Sequence, residues 1–325
     1  MVQIPQPWNT DAPLDDPSWL ANKKFCVEDL ARSGLTIGDI PVFAEPNPTI
    51  ETQFGRGQPV LLSRTSSYCY YTIPYYYGDG QAVMDVKGRP KMYRKRTTDK
   101  VNRYLSPSRD LAESLVTMPY FCPIRQTEGN KNGLYVIVEG EKKYAKLLKE
   151  EHLYGCAIGG KDMWREDGNL HPLLVQDIID AMPEEILIVP DGDWHRQDIF
   201  ASYSMLIFQL RERFREVHIR VADLSSHRSV TGERMGIDDY LHSGGKWSDV
   251  VIVDIEHELL LSPDVLIGRF GLASRETRRG HTIIENASNA DKILHMHPLF
   301  GSELLRFDID KDHAIFQNET DSVMD

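Results

Sequence analysis

The chain has 325 residues, 41% of them hydrophobic and 26% charged, with a formal net charge of -12. That length passes the roughly 250–300 residues at which a single core stops growing, so about two domains are expected. The acidic balance excludes a surface coated in basic charge but not a local basic groove, and no apolar run approaches the ~20 residues that cross a bilayer. No membrane partner and a cytoplasmic location are therefore expected, the first residues lacking the basic-then-apolar order of a secretory signal. Cys26, Cys69, Cys122 and Cys156 stand singly, which argues against a zinc ribbon or a disulfide framework.

Residues 1–20, rich in Pro, Asp and Asn, read as an irregular arm, and 21–130 as a small α+β lobe. In that lobe a helix ends at Gly34, and aromatic and β-branched residues crowd between Pro59 and Tyr77 as in strands. Gly78-Asp79-Gly80 has the composition of a hairpin turn. The returning chain is the most basic of the protein: Lys87, Arg89, Lys91, Arg94, Lys95, Arg96, Lys100 and Arg103, interleaved with Tyr93 and Tyr104. Phosphates need counter-charge and bases need stacking platforms, so this stretch is a candidate nucleic-acid surface; the plainer reading is an edge strand blunted with cations.

From 131 to 255 strands and helices alternate, which implies right-handed crossovers and a mostly parallel sheet flanked by helices. Strands are expected at 135–138, 156–159, 186–189, 217–221 and 250–253, and helices at 141–151, 171–182 and 196–215. The first strand stops at Glu139-Gly140 and the third at Asp191-Gly192-Asp193; a further pair, Asp238-Asp239, follows Gly236-Ile237. In an open α/β sheet ligands sit at the carboxyl ends of the strands, where these acids fall. Carboxylates gathered there repel one another unless cations lie between them, and hard oxygen donors suit Mg²⁺ or Mn²⁺. Lys142, Lys161, His195 and Arg196 are nearby candidates for phosphate contact. Residues 256–325 read as a helical, acidic segment, and no Gly-x-x-x-x-Gly-Lys-Ser/Thr occurs anywhere.

Val138-Glu139-Gly140-Glu141-Lys142, Asp191-Gly192-Asp193 and Gly236-Ile237-Asp238-Asp239-Tyr240-Leu241, in that order on alternating strands, resemble the Toprim domain shared by bacterial-type primases, topoisomerases and several nucleases. The nearest likeness is to primase-like proteins of phages and plasmids, and it covers about 25–245. The resemblance implies a DNA primase: a nucleotidyltransferase that makes RNA primers on a single-stranded DNA template from nucleoside triphosphates, with a replicative helicase as partner. It implies catalytic roles for Glu139, Asp191 and Asp193, and Mg²⁺ or Mn²⁺ held by those three with Asp238 and Asp239. Lys91, Tyr93, Arg94, Lys95, Arg96, Lys100, Arg103, Tyr104, Lys142, Lys161 and Arg196 would then contact template or nucleotide. A metal-dependent nuclease and a catalytically weak nucleic-acid-binding accessory are the alternatives. Two departures bear on the choice: Lys143 stands where replicative primases carry a further Asp, and Met235 stands where phage relatives carry Lys. Residues 284–316 resemble the lead-in segment of virulence-associated-E-type phage helicases.

Overall fold

The computed structural model describes residues 17–42, 44, 69–86, 90–99, 103–107, 115, 117–229, 232 and 234–255, and the backbone of strands at 53–54, 60–61, 274–277, 280–283, 303–308 and 313–318. Helix α1, Pro17–Arg32, opens on a proline, whose fixed φ and missing N–H suit a first helical position. The helix thus starts inside the stretch read as an irregular arm, of which 1–16 lie outside the described residues. Its buried face, with Phe25, Cys26 and Leu30, also carries Asn22, whose Oδ1 accepts the Tyr70 N–H at 3.0 Å. Beyond it Gly34 takes φ +68°, where a side chain would be strained. Strands β1 (Tyr70–Pro74), β2 (Tyr93–Thr97) and β3 (Tyr104–Leu105) form an antiparallel sheet in that order, with β1 buried at all five positions.

The second sheet is five-stranded, built from β4 (Leu134–Glu139), β5 (Gly155–Ile158), β6 (Glu185–Val189), β7 (His218–Asp223) and β8 (Val251–Asp254) in the order β8-β7-β6-β4-β5. All pairings are parallel except β7 with β8, an antiparallel edge of the kind common on such sheets. Burial of β4 and β6 on both faces explains why they read as unbroken apolar runs rather than alternations. The register sets Val138 beside Val189 and Glu139 beside Ile158, so β4 ends level with β5 and one residue past β6.

Helices α2 (Glu141–Glu151), α3 (Pro172–Ala181) and α4 (Gln197–Arg213) connect these strands, and α5 (Ile237–His242) precedes β8. His171 caps α3 by accepting the Leu173 N–H, with Pro172 at the first helical position as the sequence predicts. The lobe and the five-stranded sheet share one hydrophobic core, in which Tyr71, Ile73 and Tyr75 meet Val136, Val138 and Leu147. No helix among the described residues is long and apolar enough to cross a membrane.

The chain divides into two compact units, one of 1–199 with 206–255 and one of 200–205 with 256–325. In the second, where a helical segment is expected, the described strands form two antiparallel hairpins, Ser274–Thr277 with Gly280–Ile283 and Glu303–Asp308 with His313–Asn318. The correction has a local cause. Phe307, Ile315 and Phe316 favour an extended chain, and the polar run between them favours a turn. The helicase-like lead-in at 284–316 falls largely outside the described residues.

Candidate active site

Three acids reach one rim from three elements. Glu139 is the last residue of β4, and Gly140 behind it adopts φ +103°, turning the chain at once into α2. Asp191 follows β6 across Pro190, and its backbone N–H points at Glu139 Oε2, 3.4 Å away. Asp238 lies in the first turn of α5, buried, with Oδ2 accepting the Ser33 hydroxyl at 2.8 Å. Gly236 lets these parts approach: a Cβ there would stand 2.9 Å from Asp238 Oδ1, 3.3 Å from Asp191 Oδ1 and 2.7 Å from Lys143 Cε. Asp238 Oδ1 is buried and accepts no hydrogen bond from the described residues.

Lys143 stands inside this group, its ammonium bonded to Asp191 Oδ1. Burial alone would push the ammonium's pKa down; the carboxylates of Asp191, Asp238 and Glu139 outweigh it and hold the pKa above the ordinary lysine value. The cation that converging carboxylates require is therefore present and belongs to the chain.

Asp193 and Asp239 are the other two acids named from sequence. Asp193 pairs with Arg196 across 3.4 Å, and Asp239 is exposed, its carboxyl pKa raised by burial of part of the group and by Asp238. Sequence reasoning passed over Asp223, the final residue of β7 and a third strand-end acid. Its Oδ1 accepts the Trp194 indole N–H at 2.9 Å and the Ser225 N–H at 2.8 Å, and lies 3.4 Å from His195 Nε2. The signal was present: an apolar run closing on a carboxylate, as at Glu139.

Two cations of the basic stretch, Arg94 and Arg96, are turned toward internal acids. Arg94 pairs with the buried Glu141 at 3.3 Å and also donates to the Gly159 carbonyl. Arg96 and Lys142 both pair with Asp29, at 3.1 and 3.0 Å. Buried Lys95 lies over the Tyr70 ring at 4.5 Å and near Tyr93 at 5.7 Å, and Tyr104 stacks under Arg94 and Arg96. Lys91 and Lys161 are half-buried and Arg103 and Arg196 exposed, while Lys87, Arg89 and Lys100 lie outside the described residues. A groove of about 580 Å³ between α1 and β2 is lined in part by Lys24, Arg32, Arg96 and Arg103.

Asp29 yields a pH prediction. Burial would raise its carboxyl pKa, but Lys142 and Arg96 hold it below the usual aspartate range. A carboxyl with a depressed folded-state pKa stabilises fully above its unfolded value, ~3.9, and that stability is lost as pH falls through the folded value. Asp29→Asn is expected to lower the melting temperature at neutral pH, and to lose less on acidification to about pH 3 than the wild type does. Thermal melts across that range check both slopes.

In kind, Glu139, Asp191 and Asp238 fit Mg²⁺ or Mn²⁺, and the unpartnered Asp238 Oδ1 is an oxygen placed to take a cation. In arrangement they fit only with Lys143 displaced. Its ammonium holds Asp191, and among the described residues no three His, Cys, Asp or Glu side chains are set to share one ion.

The sequence matches no protein-family model and no curated protein. Solved structures similar to the chain include a DnaG primase catalytic domain bound to single-stranded DNA, 14% identical, TM-score 0.47, over 72% of this chain and 73% of that one. The E. coli primase catalytic core is 14% identical, TM-score 0.44, over 79% of this chain and 84% of that one. The zinc-binding and RNA polymerase domains of Aquifex aeolicus primase are 13% identical, TM-score 0.42, over 73% of this chain and 61% of that one. Overlap at this level leaves function to be read from the chain's own side chains.

Proposed function

We propose that this chain is a Toprim-type, primase-like nucleotidyltransferase that builds RNA primers on single-stranded DNA from nucleoside triphosphates, in replication of the phage or plasmid kind. The observation that carries this reading is the convergence of Glu139, Asp191 and Asp238 on the carboxyl rim of one parallel sheet, with a buried Asp238 oxygen left unpartnered. Asp191 and Asp238, with Glu139, would hold Mg²⁺ or Mn²⁺. Such an ion, when bound, supplies charge neutralisation at phosphorus and a lowered hydroxyl pKa.

The chain's own residues do the rest by placement. The Asp191 N–H orients Glu139 as an acceptor for the proton of a primer 3′-hydroxyl. Ser33 fixes the Asp238 carboxylate so that one oxygen faces the rim. Arg94, Arg96 and Lys142 shape the lobe through Glu141 and Asp29, which leaves the template backbone to the groove beside α1, with Lys24, Arg32 and Arg103. A helicase that supplies the single strand completes the proposal.

A single assay separates this from its rivals. With single-stranded DNA, labelled nucleoside triphosphates and Mn²⁺, short RNA products are expected; nicking of plain DNA without incorporation would instead make the protein a nuclease. The Lys143–Asp191 ion pair favours one second reading, a nucleic-acid-binding accessory with little turnover. Single-stranded DNA binding with neither synthesis nor cleavage would select it.

A further inference from the structure

The Lys143 side chain is threaded between two glycines. A Cβ at Gly140 would stand 3.7 Å from its Cδ and 3.8 Å from its Nζ, and one at Gly236 would stand 2.7 Å from its Cε. A larger residue at Gly236 would force that path to shift. The path ends at Asp191 Oδ1, beside Asp238 and Glu139, where the ammonium is drawn by all three carboxylates. The other lysines of α2 point elsewhere: Lys142 to Asp29, Lys146 to Glu150 and Lys149 to Asp39. Only Lys143 of these four serves the acid rim.

Resting on the reading of that rim as a divalent-cation site, we propose that Lys143 is its resident counter-ion, so that a divalent cation enters only in exchange for the Lys143 ammonium. Three carboxylates against one ammonium leave the rim acidic, and Asp238 Oδ1 unpartnered. An ion of twice the charge, held by Asp191 and Asp238, would answer more of that deficit than the lysine does. The lysine's four-carbon stem lets its head leave without moving the backbone. Exchange makes metal loading a competition within the chain, and keeps the carboxylates from repelling one another when no metal is present.

The test is Mn²⁺ binding to the full chain, without nucleotide or DNA, by calorimetry and by loss of the free-ion electron paramagnetic resonance signal. Lys143→Met is expected to bind Mn²⁺ at least about tenfold more tightly than wild type, because the competing charge is gone. Lys143→Arg, which keeps the charge, is expected to stay weak. Thermal melting gives a second readout: Lys143→Met melts below wild type in chelator and gains more from added Mn²⁺, since a ligand that binds only the folded state stabilises it. Equal Mn²⁺ affinity in wild type and Lys143→Met overturns the exchange but leaves primer synthesis standing. Tighter binding by Lys143→Met in a protein that makes no primers upholds the exchange and removes the polymerase reading. Absence of Mn²⁺ binding in every variant removes the divalent site and the exchange with it.

Discussion

Asp191→Asn is expected to abolish the proposed primer synthesis, with template-dependent incorporation falling by about 10²- to 10³-fold or more, while the melting temperature changes little. The asymmetry follows from position. Asp191 is the acid through which the rim is connected: its backbone N–H reaches Glu139, and its carboxylate holds Lys143 beside Asp238. Asn preserves the shape and one oxygen but removes the charge, so both the hold on Lys143 and the hold on any cation weaken. The side chain is only partly buried and lies outside the core, which is why the fold should survive. Incorporation of labelled nucleotide on single-stranded DNA, with a melting curve of the same preparation, reads both halves. Wild-type rates in a folded Asp191→Asn protein would remove Asp191, and the acid rim with it, from the chemistry.

The parts of this site that were legible in sequence are those set by local chemistry. An apolar run closing on Glu139-Gly140 reads as a buried strand meeting a turn, and Asp191-Gly192-Asp193 repeats the pattern two crossovers later. The direction of a side chain past a strand end is another matter, because partners distant in sequence fix it. Asp238 is buried where Ser33 bonds it, while Asp239, one residue on, is exposed. A basic, tyrosine-rich hairpin reads alike whether its cations meet phosphates or carboxylates. That Arg94 meets Glu141 and Arg96 meets Asp29 is decided by how the lobe closes on the sheet. Lys143 was visible as a departure from the Toprim pattern that the sequence resembles; that it bonds the neighbouring acid was not. Past residue 256 period and polarity misled, since the described backbone there pairs in hairpins.

Arg125→Met is expected to produce the largest loss of stability, about 3–5 kcal/mol, because it strands a buried carboxylate. Arg125 is 1% exposed, yet both terminal nitrogens of its guanidinium are paired. It donates to both oxygens of Asp177, at 2.8 and 2.5 Å, to the Gly155 carbonyl at the start of β5 and to the Gly78 carbonyl in the lobe, while its face lies over Phe121 and Tyr154. Burial opposes the charge, but Asp177 holds the guanidinium protonated. Methionine fills part of the volume and satisfies none of the acceptors, leaving Asp177 with the Tyr135 hydroxyl at 2.5 Å. Against a typical stability of about 5–15 kcal/mol, a loss of that size lowers the melting temperature by roughly 10 °C. Adding Asp177→Asn removes the stranded charge and keeps an acceptor for Tyr135, so the double variant is expected to melt above Arg125→Met. A double variant that melts lower still would mean that the pair's charge is not what the fold loses. Because Tyr135 lies on the strand that ends in Glu139, this network also bears on chemistry, and temperature separates the two roles. Well below its new melting point Arg125→Met should retain the proposed primer synthesis at near wild-type rates, whereas Asp191→Asn should not at any temperature.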